Sequence, residues 1–228
     1  GFDTFQRLRV TTESNMEYSA FSPVFASHDT SNDLDVGTTV VLKILSGNNE
    51  ANAFNLLDMG VDAWEYITGL AGASTAGTTV RIFWPSGGGS FATGNEAHIA
   101  NDDGYDDAVI LHELGHVVHN LYSDSDNIGG SHFFGDSDQD PRLSLGEGYA
   151  TFFGSTVFDH QQDRQALYMD ASGSTQNGGW QLRLRVETVE PYSGDSRGAA
   201  DEVAVACTLF DILDDETSND QSVGSDDD

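Results

Sequence analysis

The stretch His112-Glu113-Leu114-Gly115-His116 constrains this chain more than any other, because the apolar spacing around it leaves little choice but helix. From Asp106 to Tyr122 the residues Val109, Ile110, Leu114, Val117, Val118 and Leu121 recur at three- and four-residue intervals, as one buried stripe requires. Asp102, Asp103, Asp106 and Asp107 cluster ahead of it, where carboxylates complement the partial positive charge of a helix start. Residues four apart on a helix rise about 6 Å and return to nearly the same direction. His112 and His116 therefore present both imidazoles on one face, as two ligands of one zinc ion would. Glu113 follows the first ligand by one residue, so it can lean over the open side of the metal and take a proton from a water there. The pattern implies a zinc-dependent hydrolase.

A catalytic zinc site needs a third protein ligand and a vacant position. A metzincin arrangement would place Gly at position 119 and a histidine three residues later, but His119 and Tyr122 stand there. Further on, the run from Gly146 to Gly154 reads as a helix start in which Glu147 is followed by the apolar Ala150, Phe153, Val157 and Phe158. On these residues the chain resembles the gluzincins, the metallopeptidases of thermolysin, fungalysin and aminopeptidase type. In those families a second helix carries a Glu ligand in a Glu-Gly-aromatic-small setting, which Glu147-Gly148-Tyr149-Ala150 matches. The resemblance implies His112, His116 and Glu147 as zinc ligands and Glu113 as general base.

The chain departs from the thermolysin pattern in two places. The stretch between His116 and Glu147 is longer, and Thr151 stands where those enzymes have an Asp that orients a metal-bound His. Since a ligating imidazole usually donates its other N–H to a carboxylate or carbonyl, another Asp or a backbone carbonyl is expected in that role. The helical run Glu202 to Leu213, preceded by Tyr192-Ser193-Gly194-Asp195-Ser196-Arg197-Gly198, is similar to the last active-site helix of gluzincins. The loop before that helix supplies a His in the thermolysin type, and here it has none. Tyr192 and Arg197 are the available substitutes, because a phenol or a guanidinium can stabilise a developing oxyanion.

Charge narrows the partners. Nine Lys and Arg against 38 Asp and Glu give a formal charge of −29, and Lys43 is the one lysine. Such a surface repels nucleic acid and anionic lipid, favours cations, and suits a secreted protein kept soluble in salt. Asp124, Asp126, Asp136, Asp138 and Asp140 alternate with Ser, Asn and Gln between the two ligand helices, in the manner of loops that wrap calcium in oxygen ligands. Pro141 at the place of the EF-hand glycine makes any such site irregular, and a solvated acidic loop is the competing reading. Cys207 is alone, so no internal disulfide forms, and it reads as a small buried apolar residue.

The rest of the chain gives an expected architecture. Thr38 to Leu45 and Val80 to Trp84 read as strands, with a helical stripe from Ala53 to Ile67 closed by Gly69 between them. Ala97 to Ala100 follows the turn-rich Pro85 to Gly94 as a short edge strand beside the cleft, where an extended peptide could add as another strand. His98 reads as a plain surface residue, and Trp64, Trp84 and Trp180 read as core or loop anchors. The expected fold is α+β and zincin-like: a small mixed sheet with an antiparallel edge strand packed on the active-site helices, plus a helical C-terminal lobe. One domain is expected over 1–213, with a sheet lobe to about 105, a helical lobe from about 106, and an acidic tail or linker over 214–228. No run is apolar enough to cross a bilayer. The start at Gly1-Phe2-Asp3 reads as a processed product or an excised domain of a larger parent chain. A peptide or protein substrate is the expected partner, for an endopeptidase or an aminopeptidase. The competing classes are a catalytically silent metal-binding module of adhesion or secretion, and a zinc hydrolase of a non-peptide amide.

Overall fold

A parallel pair of strands with a long helix between them in the chain begins the fold. In this computed structural model, residues 8–14, 16, 18, 49–71, 79–132, 134, 136, 138–162, 166–172, 180–186 and 198–213 are described. Strand β1 (Leu8–Thr11) pairs in parallel with β2 (Val80–Ser86), and helix α1 (Asn49–Ala71) covers them. The helix turns Ala53, Leu56, Met59, Ala63 and Tyr66 inward, and it runs through Gly69, where the sequence pattern would have closed it. Packing of this face outweighs the weak helix preference of one glycine near the helix end. The expected strand Thr38 to Leu45 lies outside the described residues, as do Lys43 and the acidic segment 214–228.

The sheet is mixed, with strand order β1-β2-β4-β3. Strand β4 (Glu96–Ala100) runs parallel to β2, and β3 (Phe91–Thr93) pairs antiparallel to β4. Phe91–Thr93 is therefore the terminal strand at this end of the sheet, and the expected edge Ala97 to Ala100 is internal. Its reading failed because the Pro85 to Gly94 stretch, rich in turn residues, folds back as a hairpin whose strand is only three residues long. Register places Phe83, His98 and Phe91 side by side, with ring centroids 4.7 Å and 4.5 Å apart. His98 is thus sandwiched between two phenylalanines. Trp84 is in the core, Trp64 packs against it, and the Trp180 side chain lies outside the description.

Helix α2 (Asp107–Tyr122) packs between the sheet with α1 and a second long helix, α3 (Pro141–Gln162). Its first half is buried all round, Ala108 to Gly115 without a break, because it has neighbours on both sides. Helix α3 begins at Pro141, five residues before the start read from the sequence. Asp140 explains the difference: its Oδ1 accepts from Arg142 N at 2.9 Å, so Asp140 caps the helix and proline occupies the first turn. A hairpin of β5 (Leu167–Ser172) and β6 (Trp180–Arg185) follows, then a 3-10 turn (Gly198–Ala200) and helix α4 (Glu202–Leu213) against α3. The hairpin is absent from the sequence reading, although Leu182, Leu184 and Val186 alternate with Arg183 and Arg185 as a half-buried strand does.

Asp106 joins this hairpin to the start of α2. Its Oδ2 accepts from Ala171 N at 3.0 Å, while its buried Oδ1 has no partner, and burial raises the carboxyl to about 7. From about pH 4 to about pH 7 the folded chain thus keeps a proton that the unfolded chain gives up, so this group erodes stability as pH rises. We expect Asp106→Asn to lose less melting temperature than wild type across that interval. Parallel melting curves from pH 4 to pH 7, measured by circular dichroism, would contradict the burial argument.

Candidate metal centre

Three side chains from two helices converge because small residues let the helices touch. A Cβ on Gly115 would lie 2.8 Å from the Cα of Ala150, a distance no side chain tolerates, so the glycine inside the motif sets how near α3 approaches α2. On the far side a Cβ on Gly148 would meet the Glu202 carbonyl oxygen at 2.6 Å, which fixes α4 against α3 just as closely. Glu147 lies between these two contacts, in the second turn of α3 and beyond the ordinary reach of helix-start electrostatics.

His112 Nε2 and His116 Nε2 are 3.1 Å apart, and they lie 3.3 Å and 3.0 Å from Glu147 Oε2. Ligand atoms around a tetrahedral zinc ion, with bonds of 2.0–2.1 Å, stand about 3.3 Å from one another. The donor set and its spacing fit such an ion. Among the described residues this is the group of three or more His, Cys, Asp or Glu whose ligand atoms all fall within 4.8 Å. His112 Nδ1 faces Thr151 Oγ1 at 3.1 Å, so the threonine hydroxyl itself orients the imidazole where another Asp or a backbone carbonyl was expected to.

Electrostatics follow from burial. His112, 9% exposed, is lowered from its ordinary pKa by desolvation, against the opposing pull of Glu147. Desolvation would lower His116 too, but the Glu147 hydrogen bond and charge, with Glu113 and Glu202, leave it raised. Burial would raise Glu147, yet the two imidazoles hold it well below the usual carboxylate range. Glu113 has no such partner: desolvation pushes it up to about 7, and the nearby Glu147 charge adds to the rise while His116 offsets it.

These groups line a cleft of about 920 Å³, bordered on one side by Ser90 to Gly94 around β3 and on the other by Asn127, Gly129, Gly130 and His132. Tyr192 and Arg197, the expected oxyanion partners, lie outside the described residues. The cleft instead contains Tyr168 of β5, whose ring centroid is 5.5 Å from that of His112 and which stacks on Phe134 at 5.2 Å. Burial holds its phenol well above the ordinary value. The alternating pattern of its hairpin was the sequence signal that could have found it. His132 and the buried Glu202, raised to about 7 chiefly by desolvation, were likewise missed, because only tertiary folding brings them to Glu147.

In the acidic connection two of the carboxylates have partners close by in the chain. Asp140 caps α3 and holds the Arg142 guanidinium through both oxygens, and Asp136 Oδ1 accepts from Asp138 N at 3.1 Å. Asp124, Asp126, Asp136, Asp138 and Asp140 form no group of three within 4.8 Å among the described residues.

A scan against models of protein families finds no match, and neither does a search of curated proteins or of solved structures. The functional reading therefore rests on the chemistry of the cleft.

Thr151→Val keeps the shape of the side chain and removes the hydroxyl that orients His112. We expect its zinc affinity to fall about tenfold or more, the usual cost of losing such a partner, with the circular dichroism of the folded chain unchanged. Chelator competition reads the affinity, and equal affinities would remove Thr151 from the site.

Proposed function

We propose that this chain is a zinc-dependent peptidase of gluzincin type, acting on peptides or proteins outside the cell. The observation that carries the reading is the convergence of His112, His116 and Glu147 at tetrahedral spacing, with a separate buried carboxylate, Glu113, in the same open cleft. A structural zinc site has no need of such a carboxylate and closes all four positions with protein ligands. When bound, zinc would supply a Lewis acid that polarises a carbonyl and acidifies water.

The side chains divide the remaining work. His112, His116 and Glu147 hold the ion, and Thr151 keeps one imidazole in the orientation that ligation requires. Glu113 takes the proton of the attacking water and returns it to the leaving amine, a task suited to a carboxyl raised towards neutrality. The Tyr168 hydroxyl is a donor available to the carbonyl oxygen as negative charge develops there. Strand β3 borders the cleft at the edge of the sheet, so an extended peptide can pair with it, which favours a peptide over an isolated amide. A chain of −29 charge suits saline surroundings, and no helix among the described residues is long and apolar enough to cross a membrane.

The test is metal analysis of the intact chain together with peptide cleavage by wild type and Glu113→Gln. The variant is expected to keep stoichiometric zinc and the fold while losing hydrolysis by about a thousandfold or more, since an amide cannot accept the proton. Equal rates would remove Glu113 from the chemistry, and zinc loss in the variant would make it a structural partner.

A further inference from the structure

Glu202 is the least exposed carboxylate among the described residues, at 1%, and the metal-binding group does not include it. A charge so far from water is costly unless paired. Its Oε2 accepts from Gln139 Nε2 at 3.1 Å and lies 3.5 Å from His132 Nε2, while its Oε1 has no partner. That same His132 nitrogen lies 3.5 Å from Glu147 Oε2, the oxygen that faces both ligand imidazoles.

Hydrogen-bonding capacity decides what His132 does. Its Nδ1 is 3.2 Å from the Gly130 carbonyl oxygen, which only accepts, so that nitrogen carries hydrogen. Nε2 lies 3.5 Å from one oxygen of each carboxylate, Glu147 Oε2 and Glu202 Oε2, so the imidazole stands between the two. His132 Nε2 falls outside the group whose ligand atoms lie within 4.8 Å of one another. Three separate segments, the acidic connection, α3 and α4, thus meet in one carboxylate–imidazole–carboxylate bridge.

We propose that His132 and Glu202 are a positioning pair for Glu147: Glu202, held by Gln139, fixes the His132 imidazole, and the imidazole fixes the carboxylate that completes the metal centre. This rests on the zinc reading given above. It assigns the connection between the ligand helices a task in metal binding through an imidazole, independent of its acidic residues. Outer partners of metal ligands commonly contribute ten- to a hundredfold in affinity.

Zinc affinity of the full chain, measured by chelator competition, tests the pair with Glu202→Gln, His132→Asn and the double variant. Glu202→Gln preserves shape and removes the charge that His132 faces, so its affinity decides the matter should His132→Asn fail to fold. Each single variant is expected to lose about tenfold or more, and the double variant no more than the weaker-binding single, because the two side chains act as one unit. Melting of the zinc-stripped proteins is expected to stay within a few degrees of wild type. Unchanged affinity in Glu202→Gln, losses that add in the double variant, or a fall in zinc-stripped melting with affinity intact would each overturn the proposal. Wild type that binds zinc but cleaves no peptide defeats the peptidase reading and leaves the pair to be judged on affinity. Wild type that binds no zinc defeats both.

Discussion

The contact between Gly115 and Ala150 is the constraint on which the site depends. Two helices packed through ordinary side chains stand 8–10 Å apart, and a carboxylate one helix away from two imidazoles would then need to be fully extended to reach them. Here the glycine brings the α3 backbone to within a Cβ's reach of α2, so Glu147 meets His112 and His116 from a buried position. Gly154 repeats the close approach one face further along, where a Cβ would lie 3.3 Å from the Leu111 Cβ. The buried apolar run on both sides, Ile110, Leu111 and Val117 on α2 with Phe153 and Val157 on α3, holds the pair together, each side chain contributing about 1.5–3 kcal/mol.

Burial of polar groups is the second theme, and it has opposite effects on neighbouring carboxylates. Glu147 is held ionised because it faces two imidazoles, whereas Glu113, about as buried, and Glu202, more so, lack such a pair and are pushed towards neutrality. Partnership, not depth, separates them. The same division sorts a ligand from a group able to exchange a proton, and it arises from which helix face each residue occupies.

How much of this was legible in the sequence depends on the range of the interaction that decides each element. Helix α2 and its histidine pair follow from apolar spacing within seventeen residues, and α4 from a run of small and apolar residues, so both were legible. Glu147 was found through the residues beside it, although the cap at Asp140 and Pro141 was overlooked in favour of a later start. Thr151 is marked by its place in the motif but not by its chemistry, and His132, Tyr168 and Glu202 were invisible as site residues, because their partners lie 15, 56 and 70 positions away. The edge strand failed for a local reason: three residues next to a glycine run carry no alternation long enough to read.

The brevity of that strand has a physical consequence for the whole molecule. An open sheet edge offers unpaired amide and carbonyl groups to any chain that arrives, including another copy of itself. With Phe91–Thr93 as the entire β3 edge, the surface offers room for one short ladder and no more. Ser90 ties its start down, accepting from Ala100 N and donating to Asp103, so the strand cannot lengthen without breaking these bonds. Two such edges brought together would bring two strongly acidic surfaces with them, and repulsion would oppose the stacking that a longer, flatter edge would invite. The β3 end of the sheet thereby has room for a passing strand and little for a longer stack.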